Sequence, residues 1–330
     1  MKNYDAVIIG AGQAGMPLAK KISAKGLTVA LIEKRVIGGT CINDGCSPTK
    51  TMVASAKVAH LVGRAEDFGV NVKSYAIDQK VIKARKDHIV TTFRGGAEKS
   101  LKKAENVDII LGKATVLSSN KVSIDREGAE VIEISGEKIF LNTGSSPFVP
   151  EIDGLKETPY LTSSSIMELE ETPEHLIILG AGYIGLEFGQ MFNRFGSKVT
   201  IIDKAPRLVP KEDKDVCEEV SKIFTEEGIE TILEAAVTKV NYENKQFKVY
   251  LEDNTGPKMV EGSHLLVATG RKPNSKGLGL EAIGVDLTEK GHIAVNDTFE
   301  TSVPNIYALG DVAGSPPLRI WHIMMHTLPL

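Results

Sequence analysis

The chain contains two copies of one hydrophobic pattern. In each copy a short apolar run precedes a glycine-rich turn, and a later apolar run ends on an acidic residue. The first copy contains DAVIIGAGQAG and GLTVALIEK, the second contains HLIILGAGYIG and GSKVTIIDK, and the offset between them is 170 residues throughout. Uninterrupted apolar runs are typical of strands in a parallel sheet that is buried on both faces. The pattern therefore predicts strand, turn, helix and strand twice, which indicates an α/β fold.

The remaining periodicity predicts further elements. Strands in the two copies are expected at 6–9, 29–32, 176–179 and 199–202. Helices closed by a glycine are expected at 13–24 and 183–195. Helical spacing elsewhere predicts helices within 50–63 and 80–104. Alternating apolar and polar positions predict small antiparallel sheets within 107–140 and 230–262.

Each glycine turn has the spacing Gly-x-Gly-x-x-Gly, with an acid 18 residues after the third glycine. One such match is weak evidence, but here the same context occurs twice. The first glycine allows a tight turn, the second lets the backbone approach a pyrophosphate, and the third allows close packing of helix and strand. The helix N-terminus offers N–H groups to the phosphates, and the acid accepts the ribose hydroxyls. The residues are Gly10, Gly12, Gly15 and Glu33 in the first copy, and Gly180, Gly182, Gly185 and Asp203 in the second.

Two dinucleotide sites in one chain indicate a flavin on one site and a nicotinamide on the other. The alternative is a pair of buried βαβ units that bind no ligand. Composition agrees with a globular protein of about two domains, since the chain has 330 residues, of which 42% are hydrophobic and 25% charged. The net charge of −4 offers no basic excess for nucleic acid or an anionic membrane.

The same features predict a cytoplasmic location. No apolar run approaches the roughly 18 residues of a membrane span, and the N-terminus is typical of a strand rather than a signal peptide. Three cysteines in this length exclude the disulfide framework of a secreted domain.

Two of the cysteines, Cys41 and Cys46, lie close together in GGTCINDGCSPTK. In a cytosolic chain such a pair indicates a metal or a redox site. Zinc fits poorly because no further cysteine or histidine cluster accompanies the pair, so we expect no metal site. On a regular helix the pair would be about 7.5 Å apart along the axis, beyond disulfide reach. A bridge therefore needs a distorted turn, which Gly45 permits, and two buried thiols are the alternative.

Five motifs in this order resemble the FAD-dependent pyridine nucleotide–disulfide oxidoreductases: GAGQAG, GGTCINDGCSPTK, GAGYIGLE, ATGRKPN and YALGDVAG. The resemblance covers residues 4–317. The stretch CINDGCSPTKTMVASAKVAH is most similar to the mercuric-reductase-like branch, with dihydrolipoamide dehydrogenase as the alternative. Asp44 and Ser47 depart from the residues that are commoner there.

The resemblance implies two Rossmann-like dinucleotide-binding domains, each with a three-layer ββα architecture. The second domain would be inserted in the first. We expect an FAD-binding domain over 1–150, an NAD(P)-binding domain over 151–272 and a return to the FAD-binding domain over 273–317. The segments 138–150 and 264–274 are interpreted as crossings between the domains.

The resemblance also implies roles for single residues. Cys46 would form the charge-transfer thiolate beside the flavin, and Cys41 would be the sulfur that meets the substrate. Lys50 would lie beside the flavin, paired with Glu187, and Tyr183 would cover the nicotinamide pocket. The residues implied to bind FAD are Gly10, Gly12, Gly15, Glu33, Gly39, Thr40, Lys50, Thr143, Gly144, Gly310 and Asp311. Those implied to bind the nicotinamide dinucleotide are Gly180, Gly182, Tyr183, Gly185, Asp203 and Gly270.

The implied reaction is a relay from NADH through FAD to a Cys41–Cys46 disulfide, and then to a small-molecule disulfide or a soft metal ion. Asp203 favours NADH because an acid there repels the 2′-phosphate of NADPH. Lys204 and Arg207 could each meet that phosphate, so NADPH stays open. The competing hypotheses are a transhydrogenase that needs no disulfide and a non-catalytic dinucleotide-binding fragment.

The last residues, LRIWHIMMHTLPL, do not resemble the family. Restoring one lost T before codon 318 gives a back-translated stretch that begins Phe-Thr-His, which is similar to the family's sequence there. We therefore expect 318–330 to be an out-of-frame tail from a one-base deletion or a sequencing error; a genuine divergent C-terminus is the alternative. His322 and His326 are then not candidates for the family's catalytic base. The full-length form would be a homodimer, and this chain would lack the C-terminal interface domain.

Overall fold

A computed structural model describes residues 1–314, and the predicted tail over 318–330 lies outside them. The chain forms two compact units. The first consists of Met1–Asn43, Val90–Ser146 and the chain from Arg271 onward. The second consists of Asp44–Ile89 and Pro147–Gly270, so it is inserted in the first.

The α-helices of the described chain are α1 (Gly15–Ser23), α2 (Gly39–Asn43), α3 (Cys46–Gly63), α4 (Gln79–Lys102), α5 (Tyr183–Arg194) and α6 (Lys214–Glu226). The first eight strands are β1 (Lys2–Ile9), β2 (Val29–Glu33), β3 (Val107–Leu111), β4 (Lys113–Ser118), β5 (Lys121–Asp125), β6 (Ile132–Leu141), β7 (Ser145–Pro147) and β8 (His175–Leu179). The later strands are β9 (Lys198–Ile202), β10 (Glu230–Ile232), β11 (Ala236–Glu243), β12 (Gln246–Asp253), β13 (Gly256–Gly262), β14 (His264–Val267), β15 (Arg271–Pro273) and β16 (Ile306–Ala308). Short β7 and β15 pair with each other.

The main sheet of the first unit has the strand order β3-β2-β1-β6-β5-β4, with β16 also beside β6. Strands β1, β2, β3, β6 and β16 pair in parallel, whereas β4 and β5 add an antiparallel edge. The prediction of an antiparallel sheet over 107–140 is wrong for β3, which runs parallel to β2. The reason is the long helical connection between β2 and β3, because such crossovers return the chain in the same direction.

The second unit contains a parallel sheet in the order β10-β9-β8-β14 and a separate antiparallel sheet of β11, β12 and β13. The antiparallel prediction over 230–262 holds for these three strands. It is wrong for β10, which pairs in parallel with β9. Helix α6 supplies the crossover between them, as a parallel pair requires.

Residues 44–89 belong to the second compact unit, although we predicted them within the FAD-binding domain. Helix α3 packs on α5, and Met52 and Ala56 of α3 are buried in the same cluster as Phe188 and Phe192. Each large apolar side chain buried in this way contributes about 1.5–3 kcal/mol, so the packing is substantial. The assignment of cofactors to domains stays a proposal.

Both parallel sheets have buried central strands. Every residue of β2 is buried, and Leu176–Leu179 of β8 are buried as well. This explains the continuous apolar runs in the sequence, since helices cover a parallel sheet on both faces. Within residues 1–314, the structure has no helix with the length and apolar character that a membrane crossing needs.

Candidate functional site: two glycine turns and a cysteine motif

The first glycine turn joins β1 to α1, and Gly10, Gly15 and the neighbouring Gly39 leave no room for a side chain. Gly10 has φ +108°, and a Cβ there would lie 2.3 Å from the carbonyl oxygen of Asn142. A Cβ at Gly15 would lie 2.0 Å from the carbonyl oxygen of Gly10. Gly39 has φ +59°, and a Cβ added there would lie 2.6 Å from the Cα of Gly12. Contact therefore requires glycine at all three positions, and the positive φ of Gly10 and Gly39 favours it there by conformation as well.

The second glycine turn, between β8 and α5, repeats this geometry. Gly180 has φ +114°, and its Cβ would lie 2.4 Å from the carbonyl oxygen of Ala268. A Cβ at Gly185 would lie 1.9 Å from the carbonyl oxygen of Gly180. Gly182 has no atom of the described chain within 4 Å of its Cβ position, which leaves open space beside the turn.

The helices that follow the turns begin without a side-chain cap from the described part of the chain. In α1 the Met16 N–H already donates to the Gly12 carbonyl oxygen at 3.1 Å and Pro17 has no N–H, so donor capacity at this end comes from the residues before Met16. In α5 the first bond of this kind runs from the Leu186 N–H to the Gly182 carbonyl oxygen at 3.0 Å, which leaves the N–H groups of the first turn for a ligand. Helix N-termini of this kind bind phosphate through these N–H groups and the helix dipole. Both turns thus fit the pyrophosphate of a dinucleotide.

The acid of each copy is tied to its turn. Glu33 Oε2 accepts the Ala11 N–H at 2.9 Å, and Asp203 Oδ2 accepts the Ala181 N–H at 2.6 Å. The other oxygen of each carboxylate accepts the N–H two residues downstream, at 3.0 Å in the first copy and 2.7 Å in the second. Each oxygen keeps a further lone pair, so both acids can still accept hydrogen bonds from ribose hydroxyls.

Cys41 lies in α2 of the first unit and is half-buried, as is its neighbour Thr40. Asn43 at the end of α2 donates from Nδ2 to the carbonyl oxygens of Ile37 at 3.0 Å and Gly39 at 2.8 Å. Arg94 Nε donates to Asn43 Oδ1 at 2.7 Å. The Asn43 amide therefore holds the segment on which Cys41 lies. Asn43 and Arg94 are not among the residues predicted from the sequence, and nothing in the local sequence marks Arg94.

Cys46 is half-buried and is the first residue of α3 in the second unit. Gly45, with φ −133° and ψ −116°, separates α2 from α3, so a non-helical turn lies between the two cysteine positions. The sequence predicts a helix within 50–63, and α3 begins four residues before that range, at Cys46. A cysteine in the first turn of a long helix is favoured as the thiolate by the helix dipole. All three cysteines, Cys217 included, carry no disulfide in the described structure.

Two predicted residues of the second unit meet in an ion pair. Lys50 Nζ on α3 contacts Glu187 Oε1 on α5, where these helices pack together. The Lys50 side chain is 65% exposed and that of Glu187 30% exposed, so the pair contributes little to stability by itself. The contact places the Lys50 ammonium beside Glu187 in this structure.

Tyr183 begins α5 and is 60% exposed. Its hydroxyl donates to Glu212 Oε1, and this hydrogen bond raises the pKa of the Tyr183 phenol above its usual value. An exposed ring at the mouth of the second turn is consistent with the implied role as a cover of the nicotinamide pocket.

The remaining predicted residues lie at the carboxyl ends of strands. In the first unit, Asp311 Oδ2 accepts the Ser145 hydroxyl at 2.7 Å, and Thr143 Oγ1 donates to the Asn274 carbonyl at 2.8 Å. Three predicted glycines adopt positive φ, and these are Gly144 (+67°), Gly270 (+133°) and Gly310 (+77°). Gly144 and Gly310 belong to the first unit and Gly270 to the second, and ligands of open α/β sheets bind at the carboxyl ends of the strands.

One further residue at the carboxyl end of a strand was missed. Asn142 is 8% exposed, and neither Oδ1 nor Nδ2 of its side chain has a hydrogen-bond partner among the described residues. The sequence analysis treated its segment, KIFLNTGSSPFVP, only as a crossing between domains. A buried polar group without a partner beside a glycine turn fits a bound ligand at this turn.

Residues 4–327 match the profile of the family described as "Pyridine nucleotide-disulphide oxidoreductase". The chain belongs to this family. Within it, the chain is 36% identical over 314 residues to a "Mercuric reductase" of Lysinibacillus sphaericus, a match that covers 95% of this chain and 57% of the relative. It is 38% identical over 317 residues to the "Probable pyridine nucleotide-disulfide oxidoreductase RclA" of Escherichia coli (strain K12), covering 95% of this chain and 67% of the relative.

Two further comparisons agree. A "Dihydrolipoyl dehydrogenase" of Acholeplasma laidlawii is 36% identical over 330 residues, covering 98% of this chain and 94% of the relative. The solved structure "Cu(II) complex of HOCl-induced flavoprotein disulfide reductase RclA from Escherichia coli" superposes with a TM-score of 0.89 at 36% identity. That match covers 98% of this chain and 69% of the other. The chain spans between 49% and 66% of the length of the mercuric reductases that it matches.

The family membership confirms the resemblance read from the five motifs and the predicted α/β fold class with two dinucleotide folds. It also implies FAD and a nicotinamide dinucleotide as cofactors. The roles of single residues remain predictions, and the geometry above is what supports them.

Proposed function

We propose that this pyridine nucleotide–disulfide oxidoreductase carries electrons from NAD(P)H through FAD to Cys41 and Cys46, and from them to a disulfide or a soft metal ion. One observation carries the proposal. The glycine turn occurs twice, and in each copy the acid accepts a backbone N–H of the turn, Ala11 to Glu33 and Ala181 to Asp203. A chain that builds this turn twice is equipped for two dinucleotides.

FAD fits the first unit because the unpartnered Asn142 amide lies beside its turn, whereas both turns exclude side chains at their first and third glycines. Gly12 and Gly15 would admit the pyrophosphate, Glu33 would accept ribose hydroxyls, and Asp311 would lie near the rest of the cofactor. When bound, FAD would accept a hydride from the nicotinamide and pass two electrons on. The second turn, with Asp203, would hold the nicotinamide dinucleotide.

The two cysteines supply the next step. In the oxidised enzyme Cys41 and Cys46 would form a disulfide, and two electrons with two protons would convert it to two thiols. The pair would then return to the disulfide as it gives the two electrons to a substrate. A substrate disulfide would take up both protons and become two thiols. With Hg²⁺ the two electrons would give the neutral metal, with Cu²⁺ they would reduce two ions to Cu⁺, and in both cases the two protons would be released. The N-terminus of α3 favours the Cys46 thiolate, and the Lys50 ammonium, which is paired with Glu187, lies one turn further along the same helix.

A soft metal ion is the substrate that we favour, because thiolates are the ligands that such ions prefer. The relatives named mercuric reductase and the RclA structure named as a Cu(II) complex support this choice. Dihydrolipoyl dehydrogenase is the second candidate, and the Acholeplasma laidlawii relative of that name supports it. A panel of Hg²⁺, Cu²⁺ and lipoamide, assayed by NADH oxidation, distinguishes them.

Proposed partners follow from the same reasoning. We propose a small-molecule or metal-ion substrate rather than a nucleic acid or a membrane surface, a homodimer for the full-length form, and a cytoplasmic location. Each stays a prediction.

The proposed function predicts that the purified protein is yellow and that NADH bleaches it without oxygen, because hydride transfer removes the visible absorption of oxidised flavin. Anaerobic absorption spectra before and after addition of NADH measure this. A protein that binds dinucleotides but shows no bleaching would instead be the non-catalytic module.

Asp203 predicts a preference for NADH. Its carboxylate would bond to a ribose hydroxyl but repel a 2′-phosphate, and hydrogen bonds to charged groups contribute about 1.5–3 kcal/mol, so we expect NADH to be favoured roughly tenfold or more. Stopped-flow rates of flavin reduction with the two cofactors measure the ratio. Asp203→Asn, which keeps one oxygen acceptor, should lower the ratio of the rate with NADH to the rate with NADPH. Equal rates in the unmodified enzyme would remove the prediction, and Lys204 and Arg207 would then be the residues that meet the phosphate.

A further inference from the structure

Asn142 follows β6 directly and abuts the first glycine turn. Its N–H donates to the carbonyl oxygen of Ile9 at 2.8 Å, so the pairing with β1 continues one residue beyond the strand. Its own carbonyl oxygen lies 2.3 Å from the position that a Cβ of Gly10 would occupy. The backbone of Asn142 is thus part of the wall of the turn.

The side chain of Asn142 has no partner that explains it. It is 8% exposed, and both its donor and its acceptor are unsatisfied among the described residues. Leaving a buried amide unpaired is destabilising, and native proteins rarely keep one without a bound water or ligand. Side chains alternate along an extended backbone, so Asn142 faces the same side as Phe140, which lies in an apolar cluster with Ala11 and Ile37.

The second glycine turn shows that the fold does not need this amide. Ala268 occupies the equivalent position, since its N–H donates to Leu179 at 2.8 Å and its carbonyl oxygen lies 2.4 Å from the Cβ position of Gly180. The two backbones therefore make the same contacts. A methyl group suffices in the second copy, so the Asn142 amide meets a requirement that is specific to the first.

We propose that the Asn142 side chain is a direct hydrogen-bonding contact for the dinucleotide on the first turn, with Nδ2 as donor and Oδ1 as acceptor. This inference rests on the proposed function, which assigns FAD to this turn. The amide then gives the flavin dinucleotide a polar contact. The second site has no equivalent contact, because Ala268 occupies the corresponding position. It also makes the first site selective for a ligand with a donor and an acceptor within reach.

The test compares Asn142→Ala, which copies the second turn, with Asn142→Leu, which keeps the side-chain volume. FAD affinity is measured by flavin fluorescence on the apoprotein, and the melting temperature of the apoprotein is measured separately. We expect the dissociation constant for FAD to rise about tenfold or more in both variants. The apoprotein should melt at the same or a higher temperature, because an unpaired amide has been removed. The dissociation constant for NADH is the internal control and should not change.

Three results separate the possibilities. FAD affinity within twofold of the unmodified protein in both variants would overturn the inference and assign the amide to a buried water. A weaker affinity accompanied by a clearly lower apoprotein melting temperature in both variants would assign Asn142 a structural role and overturn it as well. An unmodified protein that binds no FAD would overturn the proposed function itself, which is a different outcome.

Discussion

A Cys46→Ser variant should keep its FAD and lose the long-wavelength absorption that a thiolate beside a flavin produces in the two-electron-reduced enzyme. Cys46 is the first residue of α3, where the helix N-terminus favours a thiolate, and the serine hydroxyl does not ionise under these conditions. Turnover with disulfide or metal substrates should fall at least about a thousandfold, because no disulfide can form. Anaerobic spectra during reduction and steady-state NADH oxidation measure both effects.

Two cysteine controls sharpen this experiment. Cys41→Ser should keep the absorption band but lose turnover, because the thiolate at position 46 remains while its partner is gone. Cys217→Ser should change neither, since Cys217 is 2% exposed and its Sγ donates to the carbonyl oxygens of Val209 and Glu212. A band that persists in the Cys46 variant would contradict the assignment of the two sulfurs.

Gly15→Ala and Gly185→Ala should each remove one cofactor and spare the other. The new Cβ would lie 2.0 Å from a backbone oxygen in the first variant and 1.9 Å in the second, so each turn must open. We expect FAD affinity to fall more than about a hundredfold in Gly15→Ala, because the clash between the new Cβ and the Gly10 carbonyl oxygen can be relieved only if the backbone of the turn moves. NADH affinity should fall to a similar degree in Gly185→Ala, which should stay yellow. Equilibrium titration with each cofactor measures both.

The matched control for these variants is Gly96→Ala. Gly96 lies in α4, and its Cβ position has no described atom within 4 Å. This change should stabilise the protein slightly, by about 0.5–1 kcal/mol, and leave both affinities unaltered. Retention of normal FAD affinity in Gly15→Ala would show that the first turn is not the flavin site.

The two glycine turns could be predicted from the sequence in some detail. The strands, the following helices and the acids all lie where the repeat predicts them, because the tight approach of backbones demands glycine at fixed spacing. Gly15 and Gly185 each have a carbonyl oxygen about where their Cβ would be, which no other residue tolerates. Such positions are visible in sequence because contact leaves one residue type possible.

Strand direction could not be predicted in the same way. The segments 107–111 and 230–232 alternate like the antiparallel strands that follow them, but both join parallel sheets. Side-chain alternation is the same for the two kinds of pairing, so only the length of the preceding helical connection distinguishes them. The packing of 44–89 with the second unit depends on α3 meeting α5, a long-range contact without a local signal.

Asn142 differs from these long-range features because the amino-acid sequence does carry a signal for it. Aligning KIFLNTG with HLLVATG, two similar segments outside the 170-residue repeat, places Asn142 opposite Ala268, and the polar residue stands out in an apolar context. Arg94, which holds Asn43, gave no such signal, since an arginine on an exposed helix is ordinary. The glycines could therefore be predicted from the sequence because backbone geometry requires them. Residues such as Arg94 and Asn142 are recognised only once the structure gives the hydrogen bonds that their side chains make or lack.

The most direct test of the account is an anaerobic titration that counts electrons. If the flavin and the Cys41–Cys46 pair are both redox-active, the oxidised protein should take up four electrons per FAD, two for each centre, and the long-wavelength band should be greatest after the first two. Uptake of only two electrons per FAD, with full bleaching and no such band, would show that the cysteines take no part and would contradict the account.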